Sequence, residues 1–408
     1  MYDSTDSQRI QESILSMAGL DRVPVTIVCG GAGSGKSSVV DHLIRAGDER
    51  VAVIVDAVSA AAGLGAGRGR ATILNTREPL PSFLTESIGD DDRDALRQDL
   101  WRDLEAGHFD RVIIESGVAA EPEALAAAIE RRLPGHTLAD SMRVETVITV
   151  IDCARMQDDY ASTDALHGRV PGVPESDDRT VANAVAAQIE SAHLLVLNKT
   201  DLASAQLLRE VNDIANVLNP EAKRIETRFG AIPTTRATDR RDNAALDCRP
   251  GWLRHLEQPL PATHAYPVSR LIYRRRRPFH PERLATFLDT DWPWALRVRG
   301  QFWVASRPEW AADIQQAGCS VSIRPFGYWW ASETVGGRAP DDASLRRDLD
   351  ELWHPVYGDR RQHIAILGID LDTDAMRQRL DDCLLTDAEL AGGWNHWHDM
   401  ADPWPVWR

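Results

Sequence analysis

Cysteine is scarce in this chain: five residues in 408, Cys29, Cys153, Cys248, Cys319 and Cys383, with no C-x-x-C or other ligand-spaced pair among them. That scatter excludes a disulfide framework and a self-contained zinc knuckle. Long apolar runs are missing too. The most apolar stretch, Val51 to Gly67, is interrupted by Asp56 and is rich in glycine, which excludes it as a membrane span. The first residues, Met1 to Asp6, are acidic and lack the basic start and apolar core of a secretory signal. Positive charge is outweighed: the formal net charge is -16, which opposes general attraction to DNA, RNA or anionic lipid. No internal repeat or low-complexity tract is visible. These absences together lead us to expect a reduced, soluble, cytoplasmic protein with neither a membrane segment nor a nucleic-acid partner.

What remains is the composition of an ordinary globular protein, 43% apolar and 26% charged, at a length that suits two domains better than one. From Val23 to about Arg224, short β-branched runs alternate with segments of helical period, the pattern of parallel strands joined by helices. The strands expected are Val23–Cys29, Val51–Val55, Arg111–Glu115, Val144–Ile151, Leu194–Leu197 and Lys223–Thr227, with helices starting near Lys36, Asp92, Glu121, Thr180 and Ala203. A connecting region without sustained period follows. From Trp252 onward the chain holds twelve of its thirteen tryptophans, so composition changes sharply. There the expected strands are Val268–Tyr273, Gly300–Ala305, Ser320–Pro325 and His363–Ile369, with helices at Pro281–Leu288 and Thr373–Cys383, suggesting a small α+β sandwich. The division expected is an N-terminal extension over 1–22, a first domain over 23–235, a connector over 236–265 and a second domain over 266–408.

The first strand runs into Gly30, Gly31, Ala32, Gly33, Ser34, Gly35, Lys36 and Ser37, which fit G-x-x-x-x-G-K-[ST], and Ser38 opens a helical pattern directly after them. Glycines let the chain wrap a phosphate with its N–H groups turned inward, and a helix N-terminus adds positive partial charge. Lys36 is expected to reach the β- and γ-phosphates and the Ser37 hydroxyl to ligate Mg2+. The plain alternative is a glycine turn capping a helix. The motif makes the fold class α/β, a P-loop parallel sheet with helices on both faces, followed by a smaller α+β C-terminal domain. Glu115 ends a strand expected beside the P-loop strand, where such folds place a carboxylate that holds Mg2+ directly or through water; the alternative is a solvated strand-end carboxylate.

Asn198, Lys199, Thr200 and Asp201 follow another apolar strand and match N-K-x-D. The Asp201 carboxylate can accept from both N1–H and the 2-amino group of guanine, whereas adenine offers neither in that arrangement. The expected cofactors are therefore GTP and Mg2+, held by residues 30–38 together with Asn198, Lys199 and Asp201. Lys36 and Glu115 are the catalytic candidates. A small-molecule kinase on the same P-loop is disfavoured by the base motif.

These residues, with Glu115 to Pro122, Val150-Ile-Asp152, Gln188, Arg274 to Arg283, Gly358 to Gln362 and Cys383 to Asp387, resemble the CobW-type P-loop GTPases, which include zinc metallochaperones and metal-insertion proteins. The resemblance covers nearly the whole chain. It implies a slow, partner-dependent GTP hydrolase acting as an accessory for trafficking or inserting a metal, zinc above others, with a client apoprotein engaged through the C-terminal domain. Three departures stand out. The family's C-x-C-C is replaced by Asn75-Thr-Arg-Glu-Pro-Leu80, without a thiolate to grip zinc. Its N-E-F-G acidic residue is Ala57 here, beside Asp56. Its glycine third after the strand-end Glu aligns with Val118, and Gly117 stands one place early. A GTP-regulated adaptor that has lost metal transfer is the alternative these departures raise.

Two further groups invite a functional reading. Arg274 to Arg277 could dock an acidic partner or nucleic acid locally, or could simply pair with carboxylates on either face of a strand. His396 and His398 would share a face if they lay on a strand and could then bind a metal, or they are surface groups beside packed aromatics.

Overall fold

A computed structural model describes residues 22–46, 48–55, 71–75, 109–130, 141–175, 177–232, 268–290, 295–332 and 343–407. The expected helix near Asp92 and the expected connector lie outside them. The chain forms two compact units.

The first unit is built on seven strands: β1 (Val23–Gly30), β2 (Val51–Val55), β3 (Ala71–Asn75), β4 (Arg111–Glu115), β5 (Met142–Asp152), β6 (Leu194–Asn198) and β7 (Lys223–Glu226). Their order is β3-β2-β4-β1-β5-β6-β7, and every neighbouring pair is parallel. Such a sheet is covered on both faces, so its central strands read as continuous apolar runs with no alternation. In β1, Val25, Ile27 and Cys29 pack into one core while Val28 packs into the other, with Val39 and Val40 of helix α1 (Lys36–Arg45). Further helices are α2 (Pro122–Glu130), α3 (Met156–Ala161), α4 (Leu166–Arg169), α5 (Val181–Ser191) and α6 (Ala205–Leu218). Ser204 caps α6 by accepting from Leu207 N at 3.1 Å. The chain leaves β1 toward β2 on one side and reaches β5 on the other. The carboxyl end of β1 is thus a topological switch point, where open α/β sheets form their ligand crevice. Against expectation a seventh strand, β3, lies at the sheet edge, while the helix expected near Ala203 starts at Ala205.

The second unit carries β8 (Val268–Arg275), β9 (Ala295–Phe302), β10 (Trp310–Ala317), β11 (Ser320–Tyr328) and β12 (Gln362–Ile369), ordered β11-β10-β9-β12-β8 and antiparallel throughout. Helices are α7 (Pro281–Leu288), α8 (Ala343–Leu352), α9 (Thr373–Asp382), α10 (Asp387–Ala391) and α11 (Gly393–His398). Leu271, Tyr273, Val298, Phe302, Ile314, Ile364 and Ile366 line one sheet face and pack against Leu284, Phe287, Met376 and Leu380 from α7 and α9. The alternate positions are polar: register places Arg274 opposite His363, His363 opposite Gln301, and Gln301 opposite Asp313. A second aromatic core joins Trp303, Trp329 and Trp397.

Three expectations for this unit are corrected. β10 was not foreseen, because Ala, Asp and Gln on its two faces carry little intrinsic strand signal. The strand expected at Gly300–Ala305 is β9, which ends at Phe302. His396 and His398 lie on helix α11, where residues two apart point to different sides, so they do not share a face.

Candidate functional site

The polypeptide between β1 and α1 turns through three left-handed or Gly-only conformations, at Gly30 (φ 149°), Gly33 (φ 72°) and Gly35 (φ 105°). A Cβ on Gly35 would collide with the Asn198 amide nitrogen, so this glycine admits β6 to the loop as well as bending it. Gly35 is the N-cap of α1 and offers no side-chain cap, and a helix start of this kind suits an anion. Lys36 is 7% exposed, and its ammonium donates to the carbonyls of Gly30 at 3.1 Å and Gly31 at 2.9 Å.

Ser37 donates from Oγ to Glu115 Oε1 at 2.8 Å. β4 pairs with β1 directly, so the carboxylate at its end reaches the start of α1. Burial raises the Glu115 carboxyl above its ordinary range, against the Ser37 hydrogen bond and the nearby Lys36 charge. The other oxygen, Oε2, is buried without a hydrogen-bond partner, as are the Ser34 and Ser116 hydroxyls. A desolvated carboxylate beside a hydroxyl, with one oxygen uncommitted, is a hard oxygen set suited to Mg2+.

Asn198 ties three loops together. Its Nδ2 donates to Ser34 O at 2.8 Å, and its Oδ1 accepts from Gly230 N at 3.0 Å. Lys199 sits at φ 60° and its ammonium contacts Asp152 Oδ2 at 2.6 Å. Asp201 is exposed at the following turn. The structure thus brings residues 30–38, Glu115, Asn198 and Lys199 to the carboxyl ends of β1, β4 and β6. Asp152 was noticed in sequence without a role; it fixes Lys199. Gln188, 1% exposed, donates from Nε2 to the carbonyls of Gly117, Val118 and Ala120 at 3.0, 3.2 and 3.3 Å. It holds the segment that follows Glu115. No sequence pattern announced that contact, because it joins residues about seventy positions apart.

The four arginines of the basic run are committed within the second unit. Arg275 pairs with Asp381 at 2.7 Å, Arg277 with Asp387 at 2.7 Å, and Arg276 donates to the carbonyls of Leu352, Gly358 and Arg360. Arg274 donates to His363 Nε2 at 3.1 Å. Burial, with the charges of Arg274 and Arg361, pushes His363 down to about 4, so it accepts that bond as a neutral ring at ordinary pH. Cys29, Cys153 and Cys383 are buried, and burial first of all pushes their thiols up to about 11, 12 and 11.

A parallel sheet with a glycine-rich loop at its switch point defines a P-loop nucleotide-binding protein. The CobW/HypB/UreG nucleotide-binding domain model matches residues 24–226, and the cobalamin synthesis protein cobW C-terminal domain model matches residues 268–384. The chain belongs to the CobW-type P-loop GTPase family, with both of its domains. It is 27% identical over 98% of its length to a zinc-regulated GTPase metalloprotein activator 1 of Dictyostelium discoideum, covering 88% of that protein. It is 27% identical over 73% of its length to a zinc chaperone of Mycobacterium tuberculosis, covering 72% of that protein. With a zinc chaperone CobW of a Sinorhizobium species the identity is 26% over 53% of this chain and 62% of the relative. No helix among the described residues is long and apolar enough to cross a membrane.

Proposed function

We propose that this chain binds and slowly hydrolyses GTP with Mg2+, and that its nucleotide state governs association with a client apoprotein to which a metal, zinc foremost, is delivered. The observation that carries the reading is the convergence of Lys36, the Ser37–Glu115 pair and Asn198 at one switch point. In this reading residues 30–38 hold the triphosphate, Ser37 and Glu115 hold Mg2+, and Asn198, Lys199 and Asp201 hold guanine. Bound Mg2+ would neutralise phosphate charge. Lys36, now parked on two carbonyls, would exchange them for phosphate oxygens. The Gln188 amide nitrogen is committed to three carbonyls, so it positions the loop after Glu115 rather than donating to an attacking water. The commitment of Gln188 supports slow turnover in this reading, with a partner supplying the group that orients water.

The domain division is 23–235 for GTP and 266–408 for the client, joined by residues 236–265 and preceded by an extension over 1–22; the setting is the cytoplasm. Zinc in this reading is cargo, not a resident cofactor. Its weak point is Asn75 to Leu80, where the family thiolates are absent, and three of the remaining thiols are buried and held protonated. That observation favours, as a second reading, a GTP-regulated adaptor without metal transfer. Zinc titration of the purified chain with and without GTP separates the two. Tight, stoichiometric zinc that survives strong chelator supports delivery, and zinc stripped by mild chelator supports the adaptor.

The guanine assignment has its own test. Asp201→Asn should weaken GTP by roughly 2–5 kcal/mol, the cost of breaking a charge-assisted pair, and shift preference toward XTP, whose extra carbonyl suits an amide donor. Competition among GTP, XTP and ATP measures it. Equal inhibition of the parent protein by ATP and GTP removes the guanine assignment.

A further inference from the structure

We propose that Phe229 is the platform on which the guanine ring stacks. The inference rests on the GTP reading and adds a residue that neither motif contains. Phe229 is 78% exposed, so its ring covers none of the protein's own core. It also stands at φ 56°, followed by Gly230 at φ 72°, in a turn closed by Ala231 N donating to Arg228 O at 3.2 Å. A turn with two consecutive left-handed central residues favours Asn, Asp or Gly at its first central position. Phenylalanine there is strained as well as exposed. Both choices cost stability, and a side chain held in such a conformation points to a function outside the fold.

The backbone places that ring at the nucleotide crevice. Thr227 N donates to Leu197 O at 2.8 Å, and Thr200 donates to Thr227 O from both its N at 3.3 Å and its Oγ1 at 3.2 Å. Gly230 N donates to Asn198 Oδ1 at 3.0 Å. The turn is therefore stitched to both ends of the tripeptide that opens the guanine motif. On its other side it abuts the phosphate loop's helix: a Cβ on Gly230 would stand 2.9 Å from Ser38 Cβ and 3.0 Å from Val39 N. Gly230 lets the turn close on α1, and Phe229 is the residue next to it. Lys199, the second non-glycine residue of this site with positive φ, has its ammonium drawn to Asp152. Its methylene stem is then the other apolar surface at the motif. An aromatic ring and a lysine stem are suited to the two faces of a purine, while Asp201 serves its edge.

Stacking reads the flat face that every purine has, so Phe229 supplies affinity and Asp201 supplies discrimination. The test uses the full chain with Mg2+. Phe229→Asn removes the ring and installs a residue the left-handed turn accepts, so the melting temperature should hold or rise. GTP and GDP should bind about 10- to 100-fold more weakly, the range stacking supports. Inorganic tripolyphosphate, which has no base, should bind as it does to the parent. The GTP-to-ATP preference should stay as in the parent, in contrast to Asp201→Asn, and Phe229→Trp should restore affinity. Parent-like GTP affinity in Phe229→Asn overturns the stacking role, as does an equal loss of tripolyphosphate. If instead the parent binds tripolyphosphate but shows no preference for GTP over ATP, the guanine reading itself has failed, and the stacking role goes with it.

Discussion

Two segments of this chain present cationic groups that invite a functional reading, the phosphate loop and the arginine run, and the structure treats them in opposite ways. Around Lys36 the polar groups are unfinished: the ammonium rests on loop carbonyls, Glu115 Oε2 is buried without a partner, and so are the hydroxyls of Ser34 and Ser116. Around Arg274 to Arg277, the guanidinium groups meet carboxylates, carbonyls or a neutral imidazole within their own unit. The basic run is spent on holding β8 to its neighbours. Buried polar groups in native proteins are nearly always satisfied, so a cluster that is not is a candidate place for a ligand. The comparison teaches that charge density alone does not single out a site: a single unsatisfied atom such as Arg361 Nε occurs elsewhere too, and it is the grouping of such atoms with a glycine-bent loop at a strand end that sets the first segment apart.

The comparison is broken most readily at Lys36. If the ammonium serves a ligand, Lys36→Ala should lower affinity for a fluorescent GTP analogue by roughly 3–5 kcal/mol, as for loss of one partner from a buried charged contact. Fold stability should change less than binding does, because the desolvated ammonium leaves together with its bonds to Gly30 O and Gly31 O, Gly31 O keeps Ser34 N as a donor, and the lost attraction to Glu115 is the remaining cost. Unchanged GTP affinity would remove Lys36 from the site, and a large loss of stability with intact binding would place it with the structural arginines.

Gln188 belongs to both sides of the comparison, because it is satisfied yet holds a loop of the site. Gln188→Ala removes the side-chain donor from the carbonyls of Gly117, Val118 and Ala120, of which Gly117 O keeps Ala120 N at 3.2 Å, at a cost of about 1–3 kcal/mol in stability. The loop after Glu115 should loosen, so single-turnover GTP hydrolysis should fall further than GTP affinity does. Equal reductions in both, or none in hydrolysis, would mean the clamp has no bearing on turnover.

How much of this was legible beforehand follows from the same physics. The strands β1, β2, β4 and β6 are largely apolar with little alternation because a parallel sheet buries both faces, and they were readable to within a residue. The P-loop and Asn198 to Asp201 are each contiguous in sequence, so both patterns and their places at strand ends were readable too. β10 was not, because its alternation is of alanine with acid and amide rather than of large apolar with charged residues. Asp152 on Lys199, Gln188 on the loop after Glu115 and the turn at Phe229 were missed for another reason. Each depends on which strand ends become neighbours, and strand order is invisible to local periodicity. The arginine run misled only in part: paired strand faces were one of the two readings it allowed, and Asp381 and Asp387 are the carboxylates that answer it.

The smallest expected effect sharpens the structural side. Arg283 lies 2.7 Å from Glu389 Oε2, and Thr386 N donates to the same oxygen at 2.7 Å while Glu389 N donates to Thr386 Oγ1 at 3.3 Å. Glu389 thus completes a capping box at the start of α10 as well as an ion pair. Its carboxyl is pushed down from an ordinary 4.5 to about 2, chiefly by the Arg283 hydrogen bond and then, against the opposing effect of burial, by Thr386. The folded state holds the anion more tightly than the unfolded state does. The stability gained is therefore present in full above about 4.5 and is lost as pH falls from there toward about 2. Glu389→Gln keeps a side chain able to fill the box, so it isolates the charge. The variant should be less stable by under about 1 kcal/mol near pH 7, since the pair is partly solvated and screened. Urea unfolding followed by tryptophan fluorescence reports mainly on the second unit, because nearly all tryptophans lie there. The gap between parent and variant should be constant from pH 8 to about 5 and narrow below that, with GTP affinity equal in both. A gap that widens as pH falls would reverse the sign of the assignment, and a variant with weakened GTP binding would show that the satisfied arginines are not only structural.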